Sequence, residues 1–284
     1  MTHPPLVLPD SATAPEHRRG SIFFVGTATV IIRYGGFTIL TDPNFLHKGD
    51  HVHLGYGLRS KRLTEPALSL DQLPPVDFLL LSHMHGDHFD HVVSERLDRR
   101  LPILTTKHAA AVLKGLGFER PIAFDTWDSI DVIRGSARVR VTAMPGKHAP
   151  GPLRLAIPPT MGEMLEFSSG TKTPLRLYIT GDTLIHEHLH EIPQRFPDID
   201  IALLHLGGTR IAGVLLTMDA KQGVEAIRIT NPRTAIPIHY NDYGVFKSPL
   251  DDFKAAVRAA GFENRVHYLA HGDTFDIDVP DSRI

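Results

Sequence analysis

The chain has 284 residues, 42% of them hydrophobic and 22% charged, with a formal net charge of -2 and no cysteine. These totals fit a globular α/β protein. They exclude disulfides and thiolate ligands, and they leave no basic excess to neutralise a nucleic-acid backbone. No apolar run approaches the ~18 residues of a membrane span, and the N-terminus lacks the basic-then-apolar order of a signal peptide. A cytoplasmic location is the default expectation. The one compositional oddity is a count of 18 histidines.

Residues 1–20, rich in Pro, Ser and Ala, read as a poorly ordered or edge-hugging arm, and residues 21–284 as one domain. Three β-rich runs follow, Ile22–Val25, Thr29–Tyr34 and Phe37–Thr41, with Gly35-Gly36 suited to a two-residue hairpin. Residues 44–75 show little periodicity and read as a long loop, solvated or lid-like. Val76–Leu81 is continuously apolar, the mark of a strand buried on both faces. A helix is expected from Asp90, as N-cap, to Leu97.

The strand "PILTT" and the helix "KHAAAVLKGLGF", closed by Gly115 or Gly117, come next. Two strands occupy "DSIDVIRGSARVRVTAMP". In the proline-rich segment 152–174, Met161, Met164, Leu165 and Phe167 read equally well as an adaptable apolar flap beside His148 or as a hairpin over a core edge. The remainder alternates: strand "LRLYIT", strand "DIDIALLHLGG", a helix starting near Thr217 or Asp219, strand "TAIPI" ending at His239, a helix from Ser248 stopped by Gly261, and closing strands in "RVHYLAHGDTFDI". This order suggests two βα halves packed sheet to sheet with helices outside.

Ligand-type residues fall at the ends of these apolar strands. Asp42 follows "FTIL", His148 follows "RVTAMPGK", Asp182 follows "LYITG" and His239 follows "TAIPI". The densest set is "LLLSHMHGDHFD", residues 79 to 90, which places His83, His85, Asp87 and His88 within six positions. Side chains two apart in an extended segment share a side, so His83 and His85 can bind one ion with a third histidine. Gly86 permits a tight turn that aims Asp87 and His88 at a second point, and a carboxylate can bridge the two. His148, His239 and Asp182 are what the rest of the chain offers.

His-x-His-x-Asp-His after a buried strand resembles the signature of the metallo-β-lactamase superfamily. The pieces "LTDP", "GKHAPG", "TGDT" and "PIHY" follow in the matching order. Within it, "FVGTATVIIRYGGFTILTDP" and "LPPVDFLLLSHMHGDHFD" are similar to the branch of L-ascorbate-6-phosphate lactonase and N-acyl-phosphatidylethanolamine phospholipase D. The resemblance implies a four-layer αββα sandwich: two mixed β-sheets with helices on the outer faces. It implies His83, His85 and His148 on one metal ion, Asp87, His88 and His239 on another, Asp182 between them, and Asp42 bracing the His-rich loop from behind. Zinc is the first expectation for the two divalent ions, with manganese and iron also compatible with His and carboxylate donors. Asp87 and Asp182 become the catalytic candidates, in a hydrolase whose metal-bridging hydroxide cleaves a lactone, ester or phosphodiester of a small or lipid-like substrate. The competing readings are a nuclease of the same superfamily and a metal-binding protein without turnover.

Tyr56 and Arg59 in the long loop are candidates to face a polar or anionic substrate group. Tyr240, Asn241 and Tyr243, beside His239, are candidates to donate to a developing oxyanion. His205, at the end of "IALLH", reads as a packed strand-end histidine, and His271 and Asp273 read as structural. The partner expected is a small-molecule substrate, with no nucleic acid, no stable membrane insertion, and room for a homo-oligomer.

Overall fold

The computed structural model describes residues 1–10, 19–54, 59–168, 175–211 and 213–278. Among these, two seven-stranded sheets enclose a shared apolar core. The first runs in the order Thr274–Asp278, Arg19–Gly26, Thr29–Tyr34, Phe37–Thr41, Phe78–Leu81, Ile103–Thr106 and Pro121–Phe124. Gly35 and Gly36 both take positive φ, 59° and 84°. A two-residue turn whose central residues are both left-handed matches the twist of the strands it joins, which is why the glycines sit there. The second sheet runs Leu6–Val7, Ser129–Arg134, Ala137–Pro145, Met161–Ser168, Leu175–Ile179, Ile201–His205 and Thr234–Ile238.

Alternation along the strands sorts the side chains into three layers. Phe24, Ile32, Ile39, Phe78 and Leu80 of the first sheet meet Val139, Val141, Leu165, Leu177 and Leu203 of the second. The opposite face of the first sheet, with Ile31, Leu40, Leu79 and Leu81, packs on Val93, Ala109 and Leu113 of the helices His91–Arg96 and Lys107–Gly115. The opposite face of the second, with Tyr178, Ala202 and Leu204, packs on Val224, Ile227, Phe253 and Val257 of the helices Ala220–Thr230 and Leu250–Ala260. Strands covered on both faces need apolar residues at successive positions, so "DFLLL" and "IALLH" read as runs and not as alternations. The result is the αββα sandwich. Helix ends follow the expected chemistry: Asp90 accepts from the Val93 amide at 2.9 Å, Asp219 from the Gln222 amide at 3.1 Å, and Gly261 closes its helix at φ 71°.

Three features differ from the expectation. Met161–Ser168 is neither flap nor edge hairpin. It is an interior strand paired on both sides, to Arg138–Pro145 and Leu175–Ile179. Met161, Leu165 and Phe167 enter the inter-sheet core and Met164 the helix side, and the flanking Pro158-Pro159 stop short of the strand, where proline is tolerated. Each half also lends a strand to the other: Leu6–Val7 pairs with Val132 and Ile133, and Thr274–Asp278 pairs with Arg19–Phe23. The 44–75 segment carries a small hairpin, His51–His53 with Arg59–Lys61. No helix among the described residues is long and apolar enough to cross a membrane.

Candidate metal centre

Phe37–Thr41 and Phe78–Leu81 run parallel in one sheet. Ala137–Pro145, Leu175–Ile179, Ile201–His205 and Thr234–Ile238 share one direction in the other. Their C-terminal ends gather the ligand-type residues in one place. The donor atoms of His83, His85 and His148 lie within 4.8 Å of one another, as do those of Asp87, His88 and His239. His83, His88 and Asp182 form a third such group, so Asp182 belongs to both halves. Its Oδ2 is 3.3 Å from His88 Nε2 and its Oδ1 3.6 Å from His239 Nδ1.

Hydrogen bonds around the cluster decide which nitrogen faces inward. His148 Nδ1 lies 3.1 Å from the Leu216 carbonyl and His239 Nδ1 3.1 Å from the Leu206 carbonyl. A carbonyl only accepts, so both rings carry their proton on Nδ1 and leave Nε2 bare. His88 Nδ1 is 3.1 Å from Asp42 Oδ2, so it too carries a proton there and turns its Nε2 towards the cluster. Ser82 Oγ donates to Asp42 Oδ2 at 2.8 Å and so accepts from His83 Nδ1 at 2.9 Å. His83 Nε2 and His148 Nε2 then both face His85 Nδ1, at 2.9 and 3.2 Å. A proton on His85 Nδ1 can satisfy only one of the two bare nitrogens facing it, whereas a cation can satisfy all three.

The residues fit a metal ion on this ground. Asp87 Oδ1, His88 Nε2, Asp182 Oδ1 and His239 Nε2 are buried without a hydrogen-bond partner, a costly state unless something positive satisfies them. Burial, and then the positive charge of neighbouring imidazoles, hold His83 well below the usual imidazole range, and burial and His148 push His85 down to about 3. Neutral imidazoles are the form that ligates. In the other half burial also opposes charge, but Asp182, Asp42 and Asp87 outweigh it and raise His88 well above its ordinary value. A carboxylate-rich pocket of this kind attracts one positive charge, a proton or a metal ion, and the two compete.

Asp42 sits behind the ligands, 2% exposed. Its Oδ1 accepts from the Ser82 amide at 2.7 Å. It reaches the cluster in a left-handed conformation, φ 34°, as does His239 at φ 60°. Such backbone costs ~1–3 kcal/mol per residue and persists only where neighbours enforce it. Here they do: Asp42 N donates to the Leu80 carbonyl at 2.9 Å, Thr29 Oγ1 donates to the Asp42 carbonyl at 2.7 Å, and His239 N donates to the Thr27 carbonyl at 2.6 Å.

The sequence expectations separate here. His83, His85, Asp87, His88, His148, Asp182, His239 and Asp42 are brought together. Tyr240 is not: its hydroxyl donates to the Leu269 carbonyl at 2.8 Å and its ring lies in the inter-sheet core. Asn241 is exposed, and its Oδ1 accepts from the Leu250 amide at 3.2 Å, serving a helix start. His239 and Asn241 both take the left-handed conformation, φ 60°, and the Tyr240 hydroxyl and Asn241 Oδ1 are taken up by these backbone groups. Tyr243 also points elsewhere, donating to Asn44 Oδ1 at 2.9 Å. Arg59 is exposed on the small hairpin, and Tyr56 lies outside the described residues.

Two residues outside the expected donor set also sit at the site. His205 is fully buried, its Nε2 3.4 Å from Asp42 Oδ2, and it groups with Asp42 and His88. It carries the same signal as His239, a histidine closing a buried strand. Ser82, between Asp42 and His83, had no signal beyond its place next to the first histidine.

A sandwich of two mixed sheets between helices, with histidine and aspartate donors on the loops at one end, is the metallo-β-lactamase fold. A family model described as "Beta-lactamase superfamily domain" matches residues 38–240, and the chain belongs to that superfamily. A protein of Anaeromyxobacter sp. (strain K) named as a metal-dependent hydrolase is 26% identical over 250 residues, 86% of this chain and 84% of its own. An isothiocyanate hydrolase from Delia radicum gut bacteria has a similar fold, with TM-score 0.76 at 18% identity over 90% of this chain and 98% of that one. CmlA, a diiron β-hydroxylase from Streptomyces venezuelae, is similar with TM-score 0.65 at 17% identity over 93% of this chain and 55% of that one.

Proposed function

We propose that the chain is a metal-dependent hydrolase that binds two divalent ions, zinc first among them, and cleaves a lactone, ester or phosphodiester. The observation that carries this reading is the pair of three-residue donor groups joined through His88 and Asp182, with inward-facing atoms buried and unpartnered. His83, His85 and His148 would hold one ion and Asp87, His88 and His239 the other, with Asp182 between them. Bound there, divalent ions supply Lewis acidity and a water acidified towards neutral pH. The hydroxylase with this fold is a reminder that fold alone does not choose the reaction.

The chain's own residues do the rest. Asp87 and Asp182 face the cavity together with His85 and His148. Asp87 Oδ1 is free of other partners, so this carboxylate is placed to take a proton from the attacking water and return it to the leaving oxygen. The carbonyls of Leu206 and Leu216 fix the ring orientations of His239 and His148, and Asp42 fixes that of His88. The test is metal content by mass spectrometry on protein purified without added metal, beside His83→Ala and Asp182→Ala. The expected result is about two equivalents per chain, partly lost in His83→Ala, with hydrolysis abolished in Asp182→Ala. Asp182→Ala with full metal content and full activity would refute the assignment.

A further inference from the structure

The cavity over the donors has a volume of ≈ 170 Å³, and its walls come from three separate loops. Leu54 enters from the 44–75 segment, Leu153 and Ile157 from the turn after His148, and Ile211 and Leu216 from the short hairpin after His205. Ile157 and Leu216 join Ala149 in a small buried cluster, with Leu153 and Ile211 packed against it. Among the described residues, the only charged or titratable ones lining the cavity are the ligand candidates themselves. Thr209 and Thr217 are its other polar residues, and they engage each other, Thr217 Oγ1 accepting from the Thr209 amide at 2.8 Å.

Among the described residues, no lysine or arginine lines this space. Arg210, adjacent to Ile211, is turned away onto the Gly213 carbonyl at 3.2 Å and Asp219 at 3.5 Å. Lys147 and Arg154 line a neighbouring cavity that shares His148 and Ile157 with the first, and neither of the two lines the first cavity itself. Against Leu54, Leu153, Ile211 and Leu216, away from the donors, an anionic group would lose its water and meet no cationic side chain among the described residues, whereas an apolar group is favoured in proportion to the surface it buries.

Resting on the hydrolase reading above, we infer that the substrate is a carboxylic ester or lactone with a compact, uncharged, apolar acyl group, and not one whose acyl chain carries a carboxylate or other charge. Hydrolysis adds one water. Its oxygen bonds to the acyl carbon as the bond to the leaving oxygen breaks, and its proton passes to that oxygen, giving an acid and an alcohol. Leu54, Ile211 and Leu216 set the preference by excluding charge from the acyl side.

The experiment compares p-nitrophenyl butyrate with p-nitrophenyl hemisuccinate on the metal-loaded protein, each rate divided by its uncatalysed rate. A preference of ~100-fold or more in kcat/KM for the neutral ester is expected, in keeping with the cost of desolvating an unpaired carboxylate. Ile211→Lys should narrow that gap at least ~10-fold with metal content unchanged, because a cation then faces the acyl group. A hemisuccinate rate equal to or above the butyrate rate, with activity still metal-dependent, overturns the inference and leaves the hydrolase reading standing. Methyl NMR shifts provide a readout independent of turnover. N-phenylbutanamide should perturb the Ile211 and Leu216 methyls at concentrations where N-phenylsuccinamate does not. Equal or stronger binding of the anion overturns the inference even if neither ester is cleaved.

Discussion

Asp42 offers the sharpest test of how the centre is held, through the single exchange Asp42→Asn. The wild-type carboxylate accepts from the Ser82 amide (2.7 Å), the Ser82 hydroxyl (2.8 Å) and His88 Nδ1 (3.1 Å). Asparagine has the same shape but one acceptor. Its oxygen can keep the Ser82 amide, and the serine hydroxyl can rotate to accept from the new NH2. His88 Nδ1–H then faces a donor. The ring escapes by moving its proton to Nε2, where Asp182 Oδ2 waits at 3.3 Å. That proton occupies the lone pair the metal needs. The cost to the metal-free fold is about one unpaired buried donor, ~1–3 kcal/mol. The cost to metal affinity is ~10–100-fold, typical of losing the group that orients a ligand. Competition with a chelator of known affinity measures the second, and urea unfolding of the metal-free protein the first. Wild-type metal affinity in Asp42→Asn would refute the tautomer argument. A loss of stability large enough to account for the lost metal would reduce Asp42 to a structural brace.

Gly86→Ala tests the turn between the two halves of the centre. A Cβ there would meet the His53 carbonyl oxygen and Val52 Cγ2, each at 2.6 Å. Overpacking of this kind costs ~1–3 kcal/mol and must shift either the hairpin or Asp87 and His88. A lower Tm and faster metal loss are expected, and unchanged values for both would show that the hairpin yields freely. His271→Gln tests the ion pair of His271 Nε2 with Asp242 Oδ1 at 3.1 Å. Burial lowers the His271 pKa, but the Asp242 carboxylate outweighs it and the pKa ends above 6.5. Asp242 is lowered, with burial opposing and His271 and Arg62 pulling it down. The histidine's contribution is complete below 6.5 and is lost as pH climbs through the raised value, while the aspartate's is lost only as pH falls below 3.8. The stability difference between wild type and variant should therefore be largest near pH ~5.5 and shrink by pH ~8.5. Equal differences at both would sink the ion-pair account.

Legibility followed the physics of each element. The strands Thr29–Tyr34 and Phe37–Thr41 were readable to the residue, because Gly35-Gly36 marks a turn whose backbone only glycine adopts freely. The helix after the His-rich loop was readable because Asp90 caps it. Met161–Ser168 was misread because its two methionines and neighbouring prolines look adaptable, and nothing local reports that the strand has a partner on each side. The exchange of terminal strands between halves was invisible for the same reason: pairing across more than a hundred residues leaves no local trace. His205 was passed over because one histidine at a strand end is ambiguous until the neighbouring strand is known, and that neighbour is Thr234–Ile238, which leads into His239.

The same reasoning separates the donors from the walls of the cavity. A metal donor set needs particular atoms at strand ends, and His-x-His-x-Asp-His displays four of them in one stretch. Ile211, Leu216 and Leu153 are ordinary apolar residues in loops, each indistinguishable in sequence from one filling a core gap. They acquire meaning only when three loops meet over Asp87 and Asp182. Chains with this fold include an isothiocyanate hydrolase and a diiron hydroxylase, so the sheet ends that carry the donors cannot by themselves distinguish one chemistry from another. What discriminates is the charge and shape of the loops above the ions. Among the described residues of this chain they present Leu54, Leu153, Ile211 and Leu216, with Thr209 and Thr217, and no lysine or arginine. If the inferred preference holds, selection against a charged acyl group falls to Leu54, Leu153, Ile211 and Leu216, and Ile211→Lys is the smallest change that should begin to undo it.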